Sequence, residues 1–188
     1  MKNTRLILCI ICSILFTTTL HAGPAADAIT VAGEVSKPGD WTADKIKTEL
    51  AADLTTLSYT GHDGKHTSTV VPLVSLLKAA GVATQLKQDP KAAPGVKHAE
   101  LHYVITVEGR DGYYMVFSIA ELMKEIGNRK VYLALDADGK PWNETEAPMK
   151  LIALDDEKPA RWVHSLQKIT VMKITPSATQ PAGHQAGN

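Results

Sequence analysis

Cysteine is nearly absent from this 188-residue chain, and its two copies, Cys9 and Cys12, both lie in the first 22 residues. A protein that loses that segment has no thiol at all. This excludes a disulfide, a zinc–thiolate site, an iron–sulfur cluster and a cysteine nucleophile. An excess of charge is also lacking, with 20 Lys+Arg against 20 Asp+Glu. Without the first 22 residues, which hold Lys2 and Arg5 and no acid, 18 basic and 20 acidic residues leave a formal −2. No nucleic-acid-coating surface is expected from that balance. The G-x-S-x-G elbow, the phosphate loop and the dinucleotide glycine fingerprint are missing too, which sets hydrolase and nucleotide-enzyme readings aside.

What is present begins with an address. Lys2 and Arg5 precede an apolar stretch of eleven residues from Leu6 to Phe16, followed by Thr17 to Thr19 and a small residue at Ala22. Eleven residues are too few to span about 30 Å of hydrocarbon as a helix. The order of charge, apolar run and small residue is that of a secretory signal over 1–22, cleaved after Ala22 or, as the alternative, after Ala28. Cys9-x-x-Cys12 sits inside the apolar run, where no folded scaffold tunes a thiolate. No later segment is long and apolar enough to cross a membrane. The expectation is a periplasmic or secreted protein with no membrane span after cleavage, one domain over 29–175, and a disordered tail over 176–188, whose Pro, Ser, Ala, Gln and Gly composition cannot offset its ordering entropy.

Between these ends the pattern is strand-rich. Ile29 to Val35 reads as a strand closed by Lys37-Pro38-Gly39-Asp40. Thr42 caps a helix over Ala43 to Leu50, with Ile46 and Leu50 on its apolar face. Leu54 to Thr60 and Thr67 to Val71 flank His62-Asp63-Gly64-Lys65, a hairpin signal. Pro72 opens a helix whose stripe is Leu73, Leu76, Leu77 and Ala80, with Gly81 as its left-handed cap. Thr84 to Lys97, polar and without periodicity, reads as a loop. Leu101 to Val107 and Tyr113 to Phe117 form a second hairpin around Gly112, and Ser118 with Glu121 is a capping box before Leu122 and Met123. Val131 to Leu135, Met149 to Leu154 and Lys168 to Ile174 are further strands. The sum is an α+β domain of mostly antiparallel pairs with a few short helices.

Several motifs carry possible chemistry. His62 and His66 flank the Asp63-Gly64 turn, a solvated hairpin tip or the arms of a ligand site. His98 and His102, four apart, suggest one face of a strand. Asp136-x-Asp138-Gly139 resembles the start of a calcium loop but lacks the later oxygen ligands, so a plain β-turn is expected. Asp155-Asp156-Glu157 reads as a solvated loop, and Trp162 as a residue that closes the core. Lys78, Arg110, Lys150 and Arg161 are the cations suited to anions if the fold gathers them.

Six pieces in order resemble a known family: V-x-G-x-V at Val31, Gly33 and Val35; P-L-x-x-L-L-K-x-A-G-V from Pro72 to Val82; D-G-Y at Asp111 to Tyr113; S-x-A-E-L at Ser118 to Leu122; L-A-x-x-x-D-G-K-P at Leu133 to Pro141; and R-W-V at Arg161 to Val163. Together they are similar to the small stand-alone members of the oxidoreductase molybdopterin-binding domain family. The resemblance spans about Ile29 to Ile174 and implies a sulfite-oxidase-like fold of bent, mixed sheets. It also implies a molybdopterin-dependent oxidoreductase, whose catalytic members ligate molybdenum through a cysteine on the strand before the first hairpin. Here that stretch is Leu57-Ser58-Tyr59-Thr60-Gly61, and a late G-P-L-R is Ala147-Pro148-Met149-Lys150.

Oxygen is a poor substitute for a soft sulfur ligand. The expectation is therefore a non-catalytic ligand- or partner-binding module with no metal and no cofactor. Molybdopterin, held for periplasmic electron or oxygen-atom transfer, is the alternative. A small anionic or flat ligand is expected at His62, His66, Arg110 and Arg161, which combine imidazoles with cations capable of bidentate contacts, and an envelope redox protein is the macromolecular partner to consider.

Overall fold

Alternation decides the first layer. In the computed structural model, which describes residues 27–61, 64–87, 91 and 97–175, strand β1 (Ala28–Gly33) buries Ile29 and Val31 and turns Thr30 outward. β2 (Gly39–Thr42) pairs antiparallel to it through Ile29↔Trp41. This short strand lies where the sequence reading placed only a turn: Trp41 alone has an apolar side chain to bury, and four residues carry too little periodicity to show it. Thr42 caps α1 (Ala43–Glu49) by accepting the Lys45 N–H at 3.1 Å.

β3 (Thr55–Gly61) and β4 (Gly64–Pro72) form the first hairpin, in register from Thr55↔Val70 to Gly61↔Gly64. Pro72 is the last residue of β4 and the cap of α2 (Leu73–Ala79), one place earlier than expected. Its missing N–H costs nothing at a helix start. Leu73, Leu76 and Leu77 are fully buried, and Gly81 follows at φ 87 as the left-handed cap. β5 (Tyr103–Gly109) and β6 (Tyr114–Ser118) make the second hairpin, each shifted one or two residues from the sequence reading. Ser118 and Glu121 satisfy one another's backbone across α3 (Ile119–Leu122) in the expected capping box.

β7 (Val131–Ala134), β8 (Lys150–Ala153) and β9 (Leu166–Lys173) complete the strands. They assemble into a five-stranded sheet ordered β2-β1-β9-β5-β6 and a four-stranded sheet ordered β3-β4-β7-β8. Every pairing is antiparallel except β1 with β9. Gly33 makes that parallel pair possible: a Cβ there would lie 2.1 Å from the Val171 carbonyl oxygen. The core between the sheets is one cluster that joins Val31, Ile105, Phe117, Ile169 and Val171 of the first sheet to Val71, Leu133 and Leu151 of the second, with α1 and α2 packed into it. The domain is thus α+β with mainly antiparallel sheets and few short helices.

The expected strand face for His98 and His102 is not what forms. Ala99–His102 is a 3₁₀ turn before β5, and His98 stands in the left-handed region at φ 58. Glu100 is the buried member of this segment, its Oε1 accepting the Lys87 N–H at 2.7 Å, so the carboxylate and not the imidazoles sets the local backbone. No helix among the described residues is long and apolar enough to cross a membrane.

Candidate functional site

The Asp136-x-Asp138-Gly139 segment proves to be the hinge of the molecule's chemistry. Ala137 and Lys140 bridge across Asp138 at φ 51 and Gly139 at φ 76, a two-residue hairpin turn of the kind expected. The carboxylates face back to β4. Asp138 Oδ1 accepts the Thr67 N–H at 2.7 Å, and Asp136 Oδ1 accepts the Thr69 N–H at 3.1 Å and the Gly139 N–H at 3.4 Å. Both aspartates hold a sheet edge, and neither belongs to a calcium loop.

On one side of this turn lies His66, whose Nδ1 is 3.2 Å from Asp138 Oδ2. Its ring sits 5.6 Å from that of Tyr59 across the β3–β4 pair, and Tyr59 meets Trp162 edge-on at 5.4 Å. His62 lies outside the described residues. The Tyr59 hydroxyl is 3.3 Å from Ser68 Oγ. Lys150, only 8 % exposed, completes the patch, with Nζ 5.6 Å from the Trp142 ring centre, 5.7 Å from that of Trp162 and 4.0 Å from Glu146 Oε1. Each indole is pinned by its own N–H, Trp142 to the Ala134 carbonyl and Trp162 to the Ala153 carbonyl. Two fixed π faces around an ammonium form a closed cation–π arrangement.

Asp136, Gly139 and Lys140 of this turn also line an open cleft of about 690 Å³. Arg110, from the β5–β6 connection, lines it together with Lys47 of α1 and Lys140. Trp142, Pro141 and Pro148 supply apolar surface, and Asp27, Asp44, Asp136 and Glu144 are its acids. This size falls in the range of small-molecule sites. The sequence singled out Arg110 and the 136–139 turn but not Lys47 or Trp142, because only tertiary packing brings α1 and the 141–148 segment to one cleft.

Arg161 stands elsewhere. Its Nε and Nη2 both donate to Asp156 at 2.7 Å, Nη1 reaches Glu121 Oε2 at 3.3 Å, and the guanidinium lies 4.8 Å over Phe117. The Arg161 hydrogen bonds hold the Asp156 carboxyl below its ordinary range, and the same pairing raises the arginine's own pKa, so both stay charged. Asp155-Asp156-Glu157 is therefore more than a solvated loop, since Asp156 anchors the connection into β9. Of the four sequence candidates, Arg110 lines the cleft, His66 belongs to the aromatic patch across the turn, and Arg161 is bound to two carboxylates.

No protein-family model and no curated protein matches this chain. The molybdenum cofactor implied by the sequence resemblance is tested by the β3 strand. Tyr59 is the buried side chain of that strand, and its hydroxyl and Ser68 are hard oxygen donors already facing each other. Among the described residues no three His, Cys, Asp or Glu side chains converge to hold a metal ion. The donor set does not fit a metal that is held and tuned by sulfur.

Proposed function

We propose that this chain is an exported, single-domain protein of sulfite-oxidase-like architecture that binds a small anionic ligand and does not catalyse molybdenum chemistry. The observation that carries the reading is the cleft at Arg110, where a planar guanidinium, two lysines and an indole immobilised by its own hydrogen bond share one open volume. Arginine suits carboxylate or phosphate through a two-pronged contact, and a pinned indole offers a flat surface at little entropic cost. In this reading the lining groups act by binding. The α+β topology and the ordered motifs from Val31 to Val163 support the architecture.

The test has two parts. Calorimetric titration of the exported protein with benzoate should show binding that weakens about tenfold or more in Arg110→Ala, the loss of a charge-assisted pair. Protein purified from its native compartment should carry neither molybdenum nor pterin fluorescence in proportion to chain. Stoichiometric molybdenum with pterin would establish the oxidoreductase instead. Export is checked on the same sample by intact mass: a chain starting after Ala22 supports it, and an intact Met1 refutes it.

A further inference from the structure

The two sheets end in the edge strands β2, β6, β3 and β8, and their edges are not alike. β2 is a short strand with Asp40 in it and Pro38 just before it. β8 exchanges main-chain hydrogen bonds with Val163, at 2.8 Å and 3.1 Å. The exposed side chains of β3 are Thr55, Thr56, Ser58 and Thr60. β6 differs from all three: Tyr114-Met115-Val116-Phe117-Ser118 carries no charge and no proline, and it exposes Tyr114 at 59 % and Val116 at 48 %. The hairpin fixes which of its main-chain groups face outward. The Gly109 N–H donates to the Tyr113 carbonyl at 2.8 Å, and hydrogen-bonded pairs alternate along an antiparallel ladder, so Met115 and Phe117 bond to β5 while Tyr114 and Val116 point their N–H and C=O away from it. A charge, a proline or a bulge commonly bars such an edge from pairing with its own copies, and β6 has none of these.

We propose that β6 is a self-association edge, at which two copies of this chain join their β6 strands antiparallel about a twofold axis at Met115. In that register Tyr114 lies opposite the partner's Val116 and exchanges N–H and C=O with it, and the symmetry repeats the exchange for Val116 and the partner's Tyr114. The strand is its own complement, since an aromatic side chain opposite a β-branched one is a favourable cross-strand pair. Charge fits the same register. Next to Tyr114 the sheet places Glu108 of β5 and then Lys168 of β9, and next to Val116 it places Thr106 and Thr170. A row across the seam therefore runs Lys168, Glu108, Tyr114, the partner's Val116, the partner's Thr106, with no like charges opposed. A second copy is favoured over a foreign peptide because an edge reserved for a foreign strand needs a device against its own kind. The seam is shorter than the about 20–30 residues a side of a standard interface, so the association is reversible.

Sedimentation equilibrium of the exported wild-type protein from about 1 to 500 µM should show monomer giving way to dimer and to nothing larger, because the twofold axis uses up β6. Val116→Lys puts an ammonium at an exposed position in the seam. It should weaken the dimer about tenfold or more while leaving the thermal midpoint of the monomer, read at about 1 µM, unchanged. A cross-link reads the register. The axis sets the two Met115 Cα atoms about 4.5 Å apart as a non-hydrogen-bonded pair, within disulfide reach, so Met115→Cys should give a disulfide-linked dimer on oxidation by dioxygen where wild type gives none. A wild type that stays monomeric at about 500 µM would overturn the proposal. So would species that grow past two chains, a dimer that Val116→Lys leaves equally tight, or a dimer that Met115→Cys does not cross-link. If Val116→Lys does not fold, the wild-type concentration series and the cross-link decide.

Discussion

Arg161 and Asp136 are charges that the fold treats in different ways. The Arg161 guanidinium is held by two hydrogen bonds to Asp156, one to Glu121, and a Phe117 ring beneath it. Glu121 is held as well, because its Oε1 accepts the Ser118 N–H and its Oε2 receives Arg161. Asp136 is the more deeply buried group, and its hydrogen bonds from described residues all end on Oδ1. A charge that joins carboxylates from two separate segments holds structure together. Residue type alone pointed to Arg161 as a ligand contact, and the geometry of its partners makes it a clamp between α3 and the segment entering β9.

The largest expected effect sets the scale for that contrast. Leu76→Ala removes a fully buried side chain from the core face of α2, and should cost about 2–5 kcal/mol in urea unfolding. An unchanged midpoint would mean that this face is not core. Next, Arg161→Ala strands two carboxylates and should cost about 1.5–3 kcal/mol, the range for hydrogen bonds to charged groups. Its pH signature sharpens the point. Asp156 titrates below its ordinary value of 3.8 because Arg161 donates to it. The stabilisation is therefore complete above that value and is lost as pH falls through the lower, folded-state pKa. The gap between wild type and Arg161→Ala should narrow in acid denaturation below about pH 4, and a gap that stayed constant down to pH 2 would break the assignment.

A smaller loss is expected for Glu121→Gln. The amide keeps the capping hydrogen bond through its oxygen but loses the charge facing Arg161, so about 0.5–1.5 kcal/mol should follow, read as a shift in thermal midpoint. Smallest of all is Asp136→Asn, which retains the Oδ1 acceptor and should change stability by less than about 1 kcal/mol. A large loss of stability in that variant would place Asp136 with Arg161 as a structural charge and remove the contrast.

Much of the local architecture was legible because it depends on residues three or four apart. The Ser118–Glu121 capping box, the Thr42 cap, the Leu73-Leu76-Leu77 stripe and the Asp138-Gly139 turn all form as their spacing implies. The strand ends of the second hairpin drifted by a residue or two, since the shift between Glu108 and Gly109 depends on β9, a distant partner. The histidines at 98 and 102 misled, because their spacing suits a strand or helix face whereas Glu100 between them was the group with a buried backbone donor to satisfy. For the site, Arg110 and the 136–139 turn were visible, but their meeting with Lys47 and Trp142 was not.

By itself, then, the order of apolar, turn and capping residues determined an α+β chain with these hairpins and short helices, since each such signal is an interaction between near neighbours. Tertiary structure decided the rest. The parallel β1–β9 pairing joins the two ends of the domain through Gly33, the clamp on Arg161 joins side chains from separate segments, and the cleft exists only where α1, the β5–β6 connection and the 141–148 segment come together. Whether a charge is closed or left open depends on how many donors and acceptors packing brings within about 3 Å of it, a number that sequence spacing does not contain.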